Sequence, residues 1–313
     1  MAVSDGHQEP AGPAWHSAAI LALGAAYAEP SLIPAYCDKI LDEIPVAINS
    51  QTRQLPVHGG LLLRIFSMVR SKKVPTSFLH EAFERLLQYL TSLYDTFDPL
   101  DACLAVTNDP ARLGWPFNTV WQTGAARIDP VFNTLLIWSN EALIQIGQAL
   151  KQDLTALIQW HELSIYAMNE YLWNDRLGLY LPYDLHGKSQ IPTGYLGALL
   201  PMLAEIPTQE QAERLLQHLE KGAWQQERYL AAMLPGEDSA TGHTAIDLFS
   251  NWMLYQGLLR YDMYEAAARV KNDTLALAND QGIFECYHPA TGEGLRGYNS
   301  PYAAALLSDM LMK

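Results

Sequence analysis

A single carboxylate near the end of the chain lies among aromatic residues in a way that suits carbohydrate chemistry. Glu285 directly follows Phe284, Tyr287 comes two residues later, and the turn-forming segment Pro289-Ala290-Thr291-Gly292 comes next. Sugar rings stack on aromatic faces, while an ionisable carboxylate can activate water for attack on a glycosidic bond. The segment therefore predicts a carbohydrate-cleaving site, and the alternative is a solvated glutamate in a surface loop.

This segment closes a series of short motifs that occur in a fixed order along the chain. The motifs are Trp15-His16-Ser17-Ala18, Asp129-Pro130-Val131-Phe132-Asn133, Leu172-Trp173-Asn174-Asp175, Tyr183-Asp184, Asn251-Trp252-Met253-Leu254-Tyr255-Gln256-Gly257-Leu258, Phe284-Glu285 with Thr291-Gly292-Glu293-Gly294, and Ala304-Ala305-Leu306 with Asp309. Their order resembles that of glycoside hydrolase family 63 and its mannosylglycerate-hydrolase-like relatives. The resemblance implies a helical-barrel glycosidase fold from about residue 15 to the end.

The resemblance also implies an inverting mechanism, in which two carboxyl groups lie on opposite sides of the scissile bond. One of them protonates the leaving oxygen, and the other deprotonates a water held in a gap of roughly 6.5–9.5 Å between the carboxyls. Carried over to this chain, the general base is Glu285.

The general acid of the family is the aspartate of a Trp-Glu-Ser-Gly-x-Asp-Asn-Ser-Pro loop. The nearest match in this chain is Asn108-Asp109-Pro110, which keeps the Asp-Pro pair and loses the residues before it. We therefore expect Asp109 to be the acid, with Asp101 in reserve. The alternative for Asp109 is an ordinary turn residue before a proline.

Several residues are expected to contact the substrate because they occupy family positions or offer an aromatic face. They are Trp15, His16, Tyr183, Asp184, Trp252, Tyr287 and Tyr302. For Trp252 the alternative is a core aromatic packed between helices. Neither a metal site nor a cofactor is expected, because His80-Glu81 and His161-Glu162 lack the second histidine of a zinc-binding helix.

The chain also departs from the family pattern, and the departures leave other functions open. His16 replaces an early aspartate, Ile246-Asp247-Leu248 stands in place of Gly-Pro-Val-Trp, and Pro301-Tyr302-Ala303 replaces Ser-Trp-Thr. The departures suggest either a changed substrate or a catalytically inactive relative that binds a sugar or a protein partner. A third hypothesis is a sugar epimerase or isomerase that uses histidines, although their spacing matches no known pattern.

Charge and cysteine content narrow the classes of partner and the compartment. The formal net charge of −14 disfavours nucleic acid and anionic membrane surfaces, both of which require clustered lysine and arginine. The three widely spaced cysteines predict no disulfide framework and favour reduced thiols in the cytoplasm. No leader peptide or membrane span is expected. The expected partner is a small carbohydrate, and the sequence predicts no oligomeric state.

Helical periodicity dominates the chain and predicts an all-α fold. The expected helices cover 17–27, 31–48, 76–94, 131–149, 153–172, 194–205, 208–221, 246–261, 263–279 and 300–312, with a loop over 49–60, an irregular region over 95–130 and short extended pieces at 180–183 and 283–287. Helix pairs joined by short turns favour an (α/α)6 toroid, formed by one domain over 15–313 after a tail over 1–14. Its N-terminal side is expected to lack one helix or to be open.

Overall fold

Helices form most of the computed structural model and follow the predicted pairing. The structure describes residues 16–45, 55–69, 75–98, 100–107, 126–192, 195–221 and 245–312. In chain order the helices are α1 (Ala18–Ala28), α2 (Ile33–Glu43), α3 (His58–Val69), α4 (Thr76–Phe97), α5 (Pro130–Leu150), α6 (Thr155–Ala167), the 3₁₀ helix Leu196–Ala204, α7 (Gln209–Lys221), α8 (Leu248–Arg260), α9 (Tyr264–Gln281) and α10 (Pro301–Leu311). A π-helical turn, Met168–Leu172, continues α6. None of the described helices is long and apolar enough to span a lipid bilayer.

Six of these helices form a closed inner ring. Helix α1 packs against α3, α3 against α5, α5 against the 3₁₀ helix, the 3₁₀ helix against α8, α8 against α10, and α10 against α1. The helices between them in the chain, α2, α4, α6, α7 and α9, make the outer layer. Apart from the short 3₁₀ turn Pro30–Leu32 and the π-helical turn, the described residues thus supply eleven helices, six in the inner ring and five in the outer layer. Helix α10 packs directly against α1, so the described inner helices meet on the side where the sequence left an opening or a missing helix as alternatives.

Capping residues explain where four inner helices begin. Ser17, Asp129, Asp247 and Ser300 each accept a hydrogen bond from a backbone N–H in the first turn of α1, α5, α8 and α10 respectively. A proline follows directly at the first position of α5 and of α10, where its missing N–H costs nothing. The starts of α5 and α10 lie within one residue of the starts predicted from helical periodicity.

Small residues let neighbouring inner helices approach closely. A Cβ added at Gly24 of α1 would lie 2.8 Å from the Cβ of Ala305 in α10, and one added at Gly257 of α8 would lie 2.9 Å from the backbone N of Leu203. Real side chains do not tolerate such distances, so any larger residue would push the two helices apart. The ring therefore depends on glycine at these two contacts.

Two elements differ from the prediction, one because of tertiary packing and the other because of a proline inside it. Helix α3 begins at His58 and includes Gly59 and Gly60, which the sequence assigned to a loop. A Cβ on Gly60 would meet the ring of Trp138 at 2.1 Å, so the glycine is required by the contact between α3 and α5. The helix predicted over 194–205 is a 3₁₀ helix with Pro201 inside it. Proline cannot donate the hydrogen bond that an α-helix would need there.

Three small antiparallel sheets lie between the helices. The first has the strand order β1 (Val106–Thr107), β2 (Arg127–Ile128), β5 (Tyr183–Asp184) and β6 (Ser189–Gln190), the second pairs β3 (Trp173–Asn174) with β4 (Leu179–Tyr180), and the third has the order β7 (Ile246–Asp247), β8 (Cys286–Tyr287) and β9 (Gly294–Arg296). The third sheet contains part of the extended piece predicted over 283–287. The three cysteines are buried and free.

One buried carboxylate joins four helices of the inner ring. Asp309 of α10 is fully buried and accepts hydrogen bonds from the Tyr27 hydroxyl of α1 at 2.7 Å and from the Arg64 guanidinium of α3 at 2.6–2.9 Å. It also accepts from Trp252 Nε1 at 2.8 Å and from Gln256 Nε2 at 2.9 Å, both on α8. Its ion pair with Arg64 supplies the opposite charge that a buried carboxylate requires.

Replacement of this carboxylate should destabilise the fold strongly. We expect Asp309→Asn to lower the free energy of unfolding by about 3–5 kcal/mol, because it leaves the largely buried Arg64 guanidinium without a counter-charge. Urea denaturation followed by circular dichroism measures the change. The matched control is Asp175→Asn, which breaks the exposed pair with Arg214 and should leave the unfolding free energy nearly unchanged. Equal stability of the two variants would contradict the role given to Asp309.

Candidate functional site

The backbone around Glu285 is fixed by the third sheet. The N–H of Glu285 donates to the carbonyl of Arg296 in β9 at 2.9 Å, and the carbonyl of Glu285 accepts from the N–H of Leu248, the first residue of α8, at 3.0 Å. The next residue, Cys286, pairs with Asp247 of β7. Glu285 is therefore held from both sides, by β9 and by the start of α8.

The carboxylate of Glu285 is buried and bound through one of its oxygens. The side chain is only 5% exposed. Oε1 accepts hydrogen bonds from His16 Nε2 at 2.8 Å and from the Ser300 hydroxyl at 2.7 Å. Oε2 lies 3.6 Å from Nε of Arg296, in an ion pair, and accepts no hydrogen bond from any described residue. Of the two oxygens, Oε2 is thus the one with capacity left to bind a proton donor.

The surroundings of Glu285 keep it ionised. Burial alone would raise the pKa of its carboxyl group, but the hydrogen bonds from His16 and Ser300 and the electrostatic influence of His16 and Arg296 outweigh burial and hold the pKa below its usual value. An ionised carboxylate only accepts hydrogen bonds, so Nε2 of His16 must carry the proton that it donates. The group can therefore act as a proton acceptor at neutral pH.

A stacked pair of rings lies beside this carboxylate. The imidazole of His16 and the phenol of Tyr302 are 4.0 Å apart between centroids and inclined by 7°. Both side chains are partly exposed, whereas Glu285 is buried. Burial, Glu43 and Glu285 together raise the pKa of Tyr302, so its hydroxyl stays protonated at neutral pH. The pair presents aromatic surface next to a proton acceptor, and its role in substrate binding stays a prediction.

A second carboxylate, Glu43 at the end of α2, lies in the same neighbourhood and was missed by the sequence analysis. It accepts hydrogen bonds from the backbone N–H of Ala18 and the hydroxyl of Ser17, the two residues that follow His16. Nothing in the local sequence of α2 signals this contact. Ser300 and Arg296 were missed as well: Ser300-Pro301 marks the start of a helix, but not the direction of the serine hydroxyl.

Two predicted substrate contacts lie in the core instead. Trp252 is fully buried, and its indole N–H is used by Asp309. Tyr287 is fully buried too, and its hydroxyl donates to the carbonyl of Gly282 and accepts from the N–H of Phe284. A ring without exposed surface offers no face to a sugar, so we leave both residues out of the site. The core alternative held open for Trp252 agrees with the structure.

No described contact joins the remaining predicted residues to Glu285. Trp15 and Asp109 lie outside the described residues. Tyr183 and Asp184 form β5, which pairs with β2, and Asp184 accepts a hydrogen bond from the N–H of His186 in its own turn. Strand β1 ends one residue before 108 and β2 begins at 127, so the first sheet holds both flanks of the Asp109 segment. Asp101, the reserve acid, is exposed.

Two further buried carboxyls near the starts of helices have raised pKa values without being candidates for the acid. Burial raises the pKa of Asp129 to about 6, and burial also raises that of Asp247. Both carboxyls accept the first-turn N–H of their helices, α5 and α8. Helix capping therefore accounts for the presence of both carboxyl groups at these positions. Within the described ranges, no three His, Cys, Asp or Glu side chains converge in a way that could hold a metal ion.

Gly297 limits how Glu285 can be placed. Its φ of +68° lies in the left-handed region that favours glycine, and a Cβ added there would lie 2.6 Å from Cδ and Cγ of Glu285. The glycine therefore serves two purposes, the turn after β9 and the space for the glutamate side chain.

Gly297→Ala should disturb the carboxylate as well as the turn. We expect a loss of about 1 kcal/mol or more in unfolding free energy from the left-handed backbone. We also expect a rise in the pKa of Glu285, because its side chain must move away from His16 and Ser300. Gly178→Ala is the matched control, since it has a φ of +65° and would meet only the Arg214 side chain. Carbon-13 titration of the Glu285 carboxyl should respond to the first variant alone, and an unchanged pKa in Gly297→Ala would contradict the contact.

Comparison with known proteins adds the family to this geometry. The mannosylglycerate hydrolase of Thermus thermophilus is 31% identical over 189 residues, which cover 57% of this chain and 44% of the relative. Mannosylglycerate hydrolase MGH1 of Selaginella moellendorffii is 28% identical over 236 residues, which cover 72% of this chain and 45% of the relative. The matched region of this chain thus spans less than half of the length of these relatives.

Solved structures show the same fold over nearly the whole chain. The crystal structure of the GH63 mannosylglycerate hydrolase from Thermus thermophilus in complex with glucose superposes with a TM-score of 0.84, at 20% identity, over 95% of this chain and 92% of that chain. The neutral trehalase Nth1 from Saccharomyces cerevisiae superposes with a TM-score of 0.74, at 13% identity, over 94% of this chain and 70% of that chain. At these identities the likeness establishes the fold.

A family model for the mannosylglycerate hydrolase MGH1-like glycoside hydrolase domain matches residues 28–235. The match ends before Glu285, so the surroundings of that residue are defined by the geometry of the structure alone. Because the match covers more than half of the 313 residues, the chain belongs to the mannosylglycerate hydrolase MGH1-like glycoside hydrolases.

Proposed function

We propose that the chain is an inverting glycoside hydrolase in which Glu285 is the general base. The observation that carries the proposal is the asymmetric binding of this carboxylate. Oε1 is taken by His16 and Ser300, while Oε2 accepts no hydrogen bond from the described residues. A carboxylate held in one orientation, with one oxygen left to accept, suits the task of orienting a water and taking its proton.

The proposed reaction proceeds in one displacement. Oε2 of Glu285 takes a proton from water while the water oxygen attacks the anomeric carbon, on the face opposite the leaving group. The bond to the leaving oxygen breaks as a general acid donates a proton to it, so the configuration at the anomeric carbon inverts. The lowered pKa of Glu285 keeps the carboxylate ionised and ready to accept a proton at neutral pH. The same shift makes it a weaker base.

The proposed substrate contacts follow from the partly exposed rings beside the base. His16 and Tyr302 form the stacked pair next to Glu285, and we assign them to binding of the sugar. Trp15, Tyr183 and Asp184 stay in the proposal as predictions. The two curated relatives compared above are named as mannosylglycerate hydrolases, so a small α-glycoside of this kind is the proposed substrate. The free, buried cysteines are in keeping with the cytoplasmic location predicted for the chain, which stays a prediction.

The second candidate is a catalytically inactive relative that binds a sugar. It is favoured by one feature, the loss of the Trp-Glu-Ser-Gly residues that should precede the acid at Asp109. The two candidates differ in one result, since only the hydrolase releases free sugar.

Removal of the proposed base gives the first test. We expect Glu285→Gln to lower kcat for hydrolysis of mannosylglycerate or an aryl α-mannoside by about 10²–10⁴-fold, because the amide cannot take the water proton. Proton NMR of the first product should show the β-anomer released from the α-linked substrate. Glu293→Gln is the matched control, since this glutamate is exposed in the same segment. Binding without cleavage by the unaltered chain would support the inactive relative instead.

The general acid can be identified from how the rate of hydrolysis depends on the leaving group of the substrate. Asp109→Asn should slow hydrolysis of mannosylglycerate by about 10²-fold or more, because an alkoxide leaves poorly without a proton. The same variant should hydrolyse a dinitrophenyl glycoside at nearly the unaltered rate, since that leaving group requires little protonation. Asp101→Asn is the comparison. A leaving-group effect at Asp101 and none at Asp109 would transfer the assignment to the reserve residue.

A further inference from the structure

Three consecutive residues connect the candidate base to a second carboxylate. His16 donates to Glu285 Oε1 at 2.8 Å. The next two residues bind Glu43, because the Ser17 hydroxyl donates to Oε2 at 3.0 Å and the Ala18 N–H contacts both oxygens at 2.9 and 2.7 Å. The start of α1 is thus held between two carboxylates, one from the residue before β8 and one from the end of α2.

We propose that Glu43 is a positioning residue, which fixes the start of α1 and thereby holds His16 against Oε1 of Glu285. This inference rests on the proposed function, in which Oε1 must stay occupied so that Oε2 faces the water. The described hydrogen bonds of Glu43 go to residues 17 and 18 and not to Glu285, so Glu43 acts through His16.

The geometry of the α1 terminus explains why a carboxylate is needed there. Ser17 accepts the N–H of Ala19 through its hydroxyl and uses the hydroxyl proton for Glu43. The N–H of Ala18 has no partner inside the helix and points at Glu43 instead. A negative charge at a helix N-terminus is stabilised by the helix dipole as well as by these hydrogen bonds. Glu43 therefore fixes the position of residues 17 and 18, and with them that of His16.

A role as general acid is less suitable for Glu43. Burial would raise the pKa of its carboxyl group, but the close contact with His58 and the hydrogen bonds from Ala18 and Ser17 outweigh burial and hold the pKa below its usual value. A carboxylate that stays ionised has no proton to give a leaving group. His58 is itself fully buried at the start of α3, with Nε2 at 3.5 Å from Oε2 of Glu43, so Glu43 is braced from a third helix.

The kinetic test uses Glu43→Ala and the milder Glu43→Gln, which keeps one acceptor oxygen for the Ala18 N–H. We expect kcat of Glu43→Ala to fall by about 10–100-fold with KM little changed, because a displaced His16 lets the base turn away from the water. Glu43→Gln should lose less. Asp153→Asn is the matched control, since Asp153 accepts the Thr155 N–H near the start of the outer helix α6.

The pH profile separates positioning from loss of folded protein. Without its His16 contact the pKa of Glu285 should rise, so the acidic limb of kcat/KM should move to higher pH in Glu43→Ala and in His16→Ala. The charged and titratable groups that influence Glu285 or lie next to it are His16, Arg296, Asp247, Cys286 and Tyr302. A uniform loss of rate at all pH values, with the limb in place, would overturn the proposal.

The double variant tests whether Glu43 acts through His16. Adding Glu43→Ala to His16→Ala should lower kcat by less than about 3-fold further, because the contact that Glu43 supports is already lost. Full additivity of the two changes would show that Glu43 acts independently, and would also overturn the proposal.

A measurement without substrate keeps this inference separate from the proposed function. The ring protons of His16 lie over the Tyr302 ring, at 4.0 Å between centroids, and should be shifted upfield in proton NMR. Tyr302→Leu gives the value without stacking. Glu43→Ala, and to a smaller extent Glu43→Gln, should move the His16 signals towards that value. If the unaltered chain cleaves no glycoside, the proposed function fails while this readout still decides on Glu43. Unmoved His16 signals in both Glu43 variants would overturn the positioning role.

Discussion

The site depends on the parallel arrangement of the inner helices, which Asp309 stabilises. This carboxylate joins α10 to α1, α3 and α8 through Tyr27, Arg64 and Trp252. Towards the other ends of α1 and α10, His16 and Ser300 meet at Oε1 of Glu285. Tyr27 near the end of α1 contacts Asp309 near the end of α10, while the starts of both helices lie at Glu285. The two helices therefore run in the same direction. The ion pair between Arg64 and Asp309 thus helps to fix the distance between the two donors, His16 and Ser300. A catalytic arrangement requires such a fixed distance.

Much of the architecture could be predicted from the sequence because it depends on local signals. Helical periodicity predicted the starts of α5 and α10 within one residue. Helix α3 was missed because Gly59-Gly60 is a loop signal by itself. Its glycines are required by the side chains of α5, in particular Trp138, and that requirement is invisible in the local sequence.

The candidate site could be predicted in part, and the reason lies in the separation of its residues along the chain. Glu285 was proposed from its aromatic neighbours and the family motif, and His16 and Tyr302 from their family positions, and all three stay predictions as site residues. The contact between His16 and Glu285 spans 269 positions, and that between Ser300 and Glu285 spans 15. The amino-acid composition does not predict which of the many serine and glutamate side chains contact each other in the folded chain. The same holds for aromatic rings: Trp252 and Tyr302 look alike as candidates, but the polar atom of Trp252 is used inside the core.

The starts of three inner helices gather around one side chain. Ser17 of α1 adjoins His16, Leu248 of α8 donates its N–H to the carbonyl of Glu285, and Ser300 of α10 donates its hydroxyl to the carboxylate. The N-terminal end of each helix carries partial positive charge from its aligned peptide groups. The electric field at this point therefore favours an anion, and it is produced by the backbone. Such a field persists when individual side chains are exchanged, so the preference for negative charge there is a property of the toroid itself.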